Sequence, residues 1–502
     1  MDTRWEDLAT WLSRDVMDLA ATRAGLPVND RAGAEAIAAA WRGGLNFVTG
    51  DGWYAWDGRC HAPDDGGVAG KSVIRYGRLL REVLDYARQQ TAAEVARRLP
   101  GVAQAQVDKA VAQEWDKWKA QDGYARGLAS NRGLNATASY LEKTLACPRS
   151  DFDDRHPYWL NHAGGTTDLE HGLVKPHEQA DMIAYCLPDA YRPELTWRCP
   201  RFLALVHQMT GGSSAVTDYV LRVLGYALLG DNPEQLIFFL NGPTKSGKSQ
   251  VLYIVRQILG ALAWESQADL ICYARHGRNA RVENSIRGKR LVTISETSER
   301  MHIDEGQLKR LTGEPVITVD KHYEASRLPT KVSWTIIGST NEMPAVGSMD
   351  SAVRERVVVI PCGPTIPVEY RVKGLAESVL AHERAAILAT LAWYAAAYFR
   401  DRLRAPVEVE YATEIYCAQH NVAVQFAADQ LDTGRGWADA IPAIDLWKAF
   451  QVWGKDLPMP GRNSFYRMLG DVPGVRFDDS RDRIVFRYVS WKQGSAAYPW
   501  GM

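Results

Sequence analysis

The chain has 502 residues, 46% of them hydrophobic and 24% charged, and a formal net charge of -1. That length exceeds what one hydrophobic core holds and predicts three or four domains. The near-neutral charge excludes a global field for polyanions, so any nucleic-acid contact has to come from local basic clusters. The 7 cysteines are odd in number and form no C-x-x-C pair, which argues against a disulfide framework or zinc module and for reduced thiols in a cytoplasm.

Residues 1–90 read as helix, a small aromatic patch, and helix again. The patch alternates Trp53, Tyr54 and Trp56 and ends in Asp57-Gly58, which predicts a β-hairpin. Trp53 and Trp56 suit either the stacking of nucleotide bases or the packing of a small domain. Residues 91–215 read as an accessory α+β domain, starting with a helix rich in Ala, Arg and Glu. Asp151 and Asp153 form a D-x-D pair that reads as a turn or cap, with metal binding as the alternative.

The motor-like region is 216–400. An apolar run at 236–240 reads as a strand, and 249–259 as an amphipathic helix. Between them lie Gly242, Pro243, Thr244, Lys245, Ser246, Gly247, Lys248 and Ser249, which match the phosphate-binding loop G-x-x-x-x-G-K-[ST] at every defined position. Glycines there let backbone N–H groups close on phosphates at a helix N-terminus. Lys248 is expected to reach the terminal phosphates of ATP, and the Ser249 hydroxyl to ligate Mg²⁺.

A β-branched run then ends at Ser295 and Glu296. An acid there suits Mg²⁺ binding or polarisation of an attacking water, although the usual pattern has a second acid where Ser295 stands. Lys309 lies near a helix end closed by Gly313. Residues 316–323 are expected to form one arm of a hairpin whose return arm is 331–341. Lys321 and His322 would sit near its tip, and Asn341 at the end of the return arm would sense a γ-phosphate. Arg354 and Arg356 precede another apolar strand, from which an arginine can reach a neighbouring subunit's nucleotide. The apolar run 385–399 is shorter than the ~20 residues that cross a bilayer, so no membrane partner is expected.

In this order the motifs resemble the superfamily 3 helicases, ring motors with an AAA+ P-loop ATPase core. The nearest likeness is to the helicase half of phage and plasmid primase–helicases of the poxvirus type. The likeness runs from about residue 41 to about 492 and includes Trp159, Asn161, Thr167 and Asp168 upstream of the motor. It implies an α/β fold: a mainly helical N-terminal accessory domain, the ATPase core with a lid helix at 385–399, and, in 401–502, a linker helix and a C-terminal winged-helix DNA-binding domain.

It also implies roles. Lys248, Glu296, Asn341 and Arg356 would be catalytic, with Arg354 as the substitute finger. Ser249 and Glu296 would hold Mg²⁺, and Lys321, His322 and Lys309 would touch DNA. Arg462, Arg467, Arg481, Arg483 and Arg487 of the winged helix are candidates for phosphate contact or for a solvated basic face. The implied protein is an ATP-dependent DNA helicase acting in a host cytoplasm. It would form a homo-oligomeric ring, a hexamer, moving 3′-to-5′ on single-stranded or forked DNA, with a separate primase or initiator as partner. Few residues precede 41, so a motor without a built-in primase is expected.

Overall fold

The computed structural model describes residues 26–152, 155–273, 280–297, 301–320, 327–346, 351–455, 461–480 and 483–492. Contacts divide the chain into two compact units, Met1–Arg155 with Lys175–Cys186, and His156–Val174 with Leu187–Met502. The fold is mixed α/β, and its N-terminal region is mainly helical, as expected.

In the first unit, helices Asp30–Trp41, Val68–Arg98 and Asn131–Thr144 bury Ala34, Ile37, Val73, Leu80, Leu84 and Leu141 in one core. Asn29 caps the first of them by accepting from Ala32 N at 3.0 Å. The aromatic patch is a meander of Leu45–Val48, Gly52–Trp56 and His61–Pro63. Asp57-Gly58 closes its second turn, where Asp57 Oδ1 accepts from Arg59 N and Cys60 N at 2.7 and 2.9 Å. Trp53 packs edge-to-face on Phe47 with ring centroids 5.1 Å apart, a packing contact of the small domain. Phe152, the middle residue of the D-x-D pair, is fully buried. Asp151 pairs with Arg155 at 3.3 Å, and Asp153 lies outside the described residues.

The second unit is built on a five-stranded sheet ordered Val357–Pro361, Ile237–Asn241, Thr335–Thr340, Leu291–Thr297, Ala263–Ser266. Every neighbouring pair is parallel. Parallel strands covered on both faces need unbroken apolar runs, and Ile237, Phe238, Phe239 and Leu240 supply one. Helix Lys248–Leu259 buries Val251, Leu252, Val255, Ile258 and Leu259 on one face. The predicted helix at 385–399 is the core of a longer one, Leu375–Asp401. It crosses helix Ser214–Tyr226 so closely that a Cβ on Gly225 would lie 2.5 Å from Tyr394 Cβ and 2.8 Å from Leu391 O. The boundaries drawn from sequence at 90 and 215 fall inside the helices Val68–Arg98 and Ser214–Tyr226.

The hairpin differs from expectation. Val316–Asp320 pairs antiparallel with Arg327–Lys331, with Val316 opposite Lys331. The chain then leaves the hairpin because the fully buried Trp334 donates from Nε1 to Leu311 O at 3.1 Å, and Ser333 Oγ donates to Lys289 O at 2.9 Å. Thr335–Thr340 is thereby freed to enter the parallel sheet instead of serving as the return arm. Lys321 and His322 lie outside the described residues.

After two helices, Val407–His420 and Val422–Gln430, a C-terminal module joins helices Ala443–Trp453 and Arg462–Gly470 to a three-stranded antiparallel sheet. Phe426, Phe450, Phe465 and Phe486 form its core, with Phe450 and Phe465 stacked at 4.0 Å. Arg487 pairs with Asp478 and lies 4.3 Å over the Trp437 ring, so its charge is partly spent within the module. Arg481 lies outside the described residues. No helix among the described residues is long and apolar enough to cross a membrane.

Candidate functional site

The carboxyl ends of parallel strands are where α/β sheets bind ligands, and there the second unit opens a cleft of about 650 Å³. Its floor is the glycine-rich loop between Ile237–Asn241 and Lys248–Leu259: Thr244, Lys245, Ser246, Gly247, Lys248 and Ser249 all line it. Two loop positions require glycine. Gly247 has φ +105°, and a Cβ on Gly242 would lie 2.7 Å from Cys362 O. Gly242 and Pro243 shape the loop from behind, through their carbonyls.

Those carbonyls hold Lys248. Its ammonium donates to Gly242 O at 2.6 Å, Pro243 O at 2.8 Å, Ser246 Oγ at 3.2 Å and Asn341 Oδ1 at 3.2 Å. Burial pushes its pKa below the usual lysine value. The charge is thus desolvated and held by neutral oxygens only, an arrangement that an incoming phosphate improves. A phosphate beside Lys248 raises that pKa again, so phosphate binding takes up a proton once the pH exceeds the lowered value. Affinity for a nucleotide is therefore expected to fall as pH rises through that value, and calorimetry in buffers of different ionisation enthalpy checks the proton uptake.

Asn341 follows strand Thr335–Thr340 directly, and the register Thr340 to Asn241 sets it beside the loop. It also lines a second cleft of about 480 Å³ with Asn241, Glu342, Tyr416 and His420. There the buried Asn241 Oδ1 has no partner among the described residues. Ser295 lines the main cleft. Glu296 occupies the next place on its strand, at a register break between Ser295 and Thr297 against the neighbouring strand. Such bulges gather beside active sites.

The arginines are placed differently from one another. Arg356 is tied within its own chain, donating from Nη1 to Ala352 O at 2.7 Å and from Nη2 to Gln235 Oε1 at 3.1 Å. Arg354 is exposed and lines a separate cleft of about 830 Å³ with Glu414, Cys417 and Asp471. Neither lines the main cleft. Lys309 is half-buried on helix Glu305–Gly313.

Two groups of cleft residues carry no motif and were missed in the sequence. One is Glu265, on the edge strand Ala263–Ser266. The other is the strap Ile366, Tyr370, Arg371, Val372 and Leu375. Thr365 Oγ1 donates to Thr244 O at 2.8 Å and Ile366 N to Lys245 O at 3.0 Å, which ties this strap to the loop.

The residues present fit a Mg²⁺–nucleotide. The loop has backbone that no side chain can replace, a desolvated ammonium, and hard oxygen donors at Ser249 and Glu265 in one cleft. Among the described residues no three His, Cys, Asp or Glu side chains gather as a metal site of their own.

Residues 34–211 match the family model described as D5 N terminal like. A Frog virus 3 (isolate Goorha) protein named "Putative helicase 022R" is 22% identical over 253 residues, 47% of this chain and 26% of that protein. A protein of Acanthamoeba polyphaga mimivirus named in the same terms is 24% identical over 215 residues, 41% of this chain and 22% of that protein. The chain therefore spans about a quarter of the length of these relatives. Apo structures of the NrS-1 C terminal region align at 14% and 11% identity with TM-scores of 0.37 and 0.38, over 55% and 68% of this chain and 62% and 84% of theirs. Likeness at that level carries no argument about function.

Proposed function

We propose that the chain is an ATP-dependent DNA helicase for the replication of a phage, plasmid or other mobile element, a reading supported by the match of residues 34–211 to the D5 N terminal like model and by the likeness to two viral proteins named as putative helicases. The observation that supports this most is the main cleft, where Lys248, Ser249, Ser295 and Asn341 meet at the carboxyl ends of one parallel sheet. In this reading the sheet is an AAA+ P-loop ATPase core and the C-terminal module a winged helix. The active form is a ring, a hexamer, moving 3′-to-5′ on single-stranded DNA, with a separate primase or initiator as partner.

The loop N–H groups and Lys248 bind the β- and γ-phosphates, and Lys248 exchanges its loop carbonyls for phosphate oxygens as it does so. Ser249 and Glu296 hold Mg²⁺, which when bound neutralises charge on those phosphates. Glu296 accepts the proton of the attacking water. Asn341, already bonded to Lys248, senses the γ-phosphate. Lys321, His322 and Lys309 carry the DNA contact.

A finger arginine has to leave its own subunit. Arg354 is exposed, whereas Arg356 is engaged with Ala352 and Gln235. Arg354 therefore takes the trans role, and Arg356 secures the end of the sheet.

The test is ATP hydrolysis with and without single-stranded DNA, on wild type and on wild type mixed with Arg354→Ala or Arg356→Ala. A DNA-stimulated rate, lost more steeply than the mixing ratio with Arg354→Ala, is the expected result. Steep loss with Arg356→Ala alone returns the finger to that residue. Turnover indifferent to DNA, with rates that average on mixing, would sink the helicase reading in favour of a non-translocating initiator or loader that uses ATP as an assembly switch.

A further inference from the structure

Ser295 stands where an acid usually precedes the glutamate, yet a carboxylate is at hand. Ser295 Oγ donates to Glu265 Oε1 at 3.0 Å. Glu265 comes from the edge strand, where it lies opposite Thr293. Its other oxygen, Oε2, accepts from Arg256 Nη2 at 2.7 Å, while Arg256 Nη1 donates to Thr293 Oγ1 at 2.9 Å. Arg256 belongs to helix Lys248–Leu259, the helix that begins with Lys248 and Ser249. The carboxylate is thus oriented from both sides, by the helix that begins at the loop and by the strand that carries Ser295. Glu265, Ser295 and Ser249 line one cleft, and the Glu265 side chain is 49% exposed, so it keeps acceptor capacity toward that cleft.

We propose that Glu265 supplies the carboxylate that position 295 lacks. This rests on the nucleotide reading of the cleft. Mg²⁺ dehydrates reluctantly and keeps several of its waters. A carboxylate one strand further out therefore acts by accepting hydrogen bonds from those waters. Ser295 and Arg256 fix its orientation, as groups behind metal ligands commonly do. The acid has moved to the neighbouring strand, and the serine hydroxyl bridges the gap.

The experiment measures Mn²⁺ binding by electron paramagnetic resonance in the presence of a non-hydrolysable ATP analogue, alongside metal-free analogue binding by fluorescence. Glu265→Gln is nearly isosteric and half-exposed, and a thermal melt confirms its fold. It is expected to weaken Mn²⁺ binding ~10-fold or more, with metal-free binding unchanged. Ser295→Asp placed in the Glu265→Gln background is expected to restore it. Arg256→Gln loosens the carboxylate without removing it and is expected to weaken Mn²⁺ binding by less than Glu265→Gln does. A role limited to the Arg256 ion pair predicts instead that Arg256→Gln and Glu265→Gln behave alike. That result, or metal affinity in Glu265→Gln within about twofold of wild type, overturns the assignment. If wild type binds no analogue, or binds it equally well after Lys248→Ala, the nucleotide reading itself falls, and this assignment with it.

Discussion

Replacing Lys248 with alanine is expected to cut nucleotide hydrolysis by ~10²-fold or more, the scale seen when one preorganised charge donor is removed from a reacting site. The fold should survive. The partners of the ammonium are Gly242 O, Pro243 O, Ser246 Oγ and Asn341 Oδ1, at the floor of a cleft that water can fill. Losing a charge that burial already disfavours removes a desolvation cost as well as the bonds. The melting temperature without ligand should therefore change by only about 1–2 °C, equivalent to ~1 kcal/mol. The upshift produced by an ATP analogue, about 2.7 kcal/mol at a hundredfold excess over Kd, should disappear. Thermal melts with and without analogue, paired with a phosphate-release assay, separate the two effects. A Lys248→Ala protein that keeps both turnover and the upshift would remove the cleft from consideration as the nucleotide site.

The largest stability effect is expected far from that cleft, at Gly225. Helices Ser214–Tyr226 and Leu375–Asp401 touch backbone to backbone there: an added Cβ would meet Tyr394 Cβ at 2.5 Å, Leu391 O at 2.8 Å and Ala395 N at 2.9 Å. Two of those atoms are main chain and cannot rotate away. Gly225→Val should force the helices apart, strip contacts from the buried Leu391, Ala395 and Tyr398, and destabilise the unit by about 3 kcal/mol or more. Calorimetry should show a melting temperature lower by roughly 4 °C or more for a unit of this size. A drop under about 2 °C would mean that the second helix can tilt without loss.

The parts of the fold written in local chemistry were legible in the sequence. The apolar run before Gly242 and the amphipathic helix after Lys248 each follow from periodicity and turn residues, whereas the paired helices of the C-terminal module were expected from the family resemblance. Spatial order was not legible. Nothing local says that Thr335–Thr340 lies between Ile237–Asn241 and Leu291–Thr297. The run from 331 to 341 reads as one strand because β-branched and aromatic residues dominate it and no turn residue divides it before Gly338. It is divided by Trp334, whose indole is bonded to Leu311, 23 positions earlier. Glu265 escaped for the same reason. A single glutamate on a short strand carries no spacing signal and enters the site only because its strand neighbours the one bearing Ser295. The strap Ile366 to Leu375 has no periodicity at all, and its position follows from hydrogen bonds to the loop.

Asn341 forms part of two clefts at once. On one side its oxygen holds Lys248; on the other it faces the space shared with Tyr416 and His420 of helix Val407–His420. Tyr416 in turn donates from its hydroxyl to Pro344 O at 2.7 Å, fastening that helix to the segment just after Asn341. A partition with a ligand chamber on one face and the root of the next helix on the other behaves as a diaphragm. Drawing Lys248 toward phosphate releases the asparagine amide, and the freed group has the second chamber to turn into. Helix Val407–His420 runs on into Val422–Gln430 at the base of the C-terminal module. On the nucleotide reading, occupancy of the first chamber is therefore expected to be felt at the root of that module, and by reciprocity a load on the module at the first chamber.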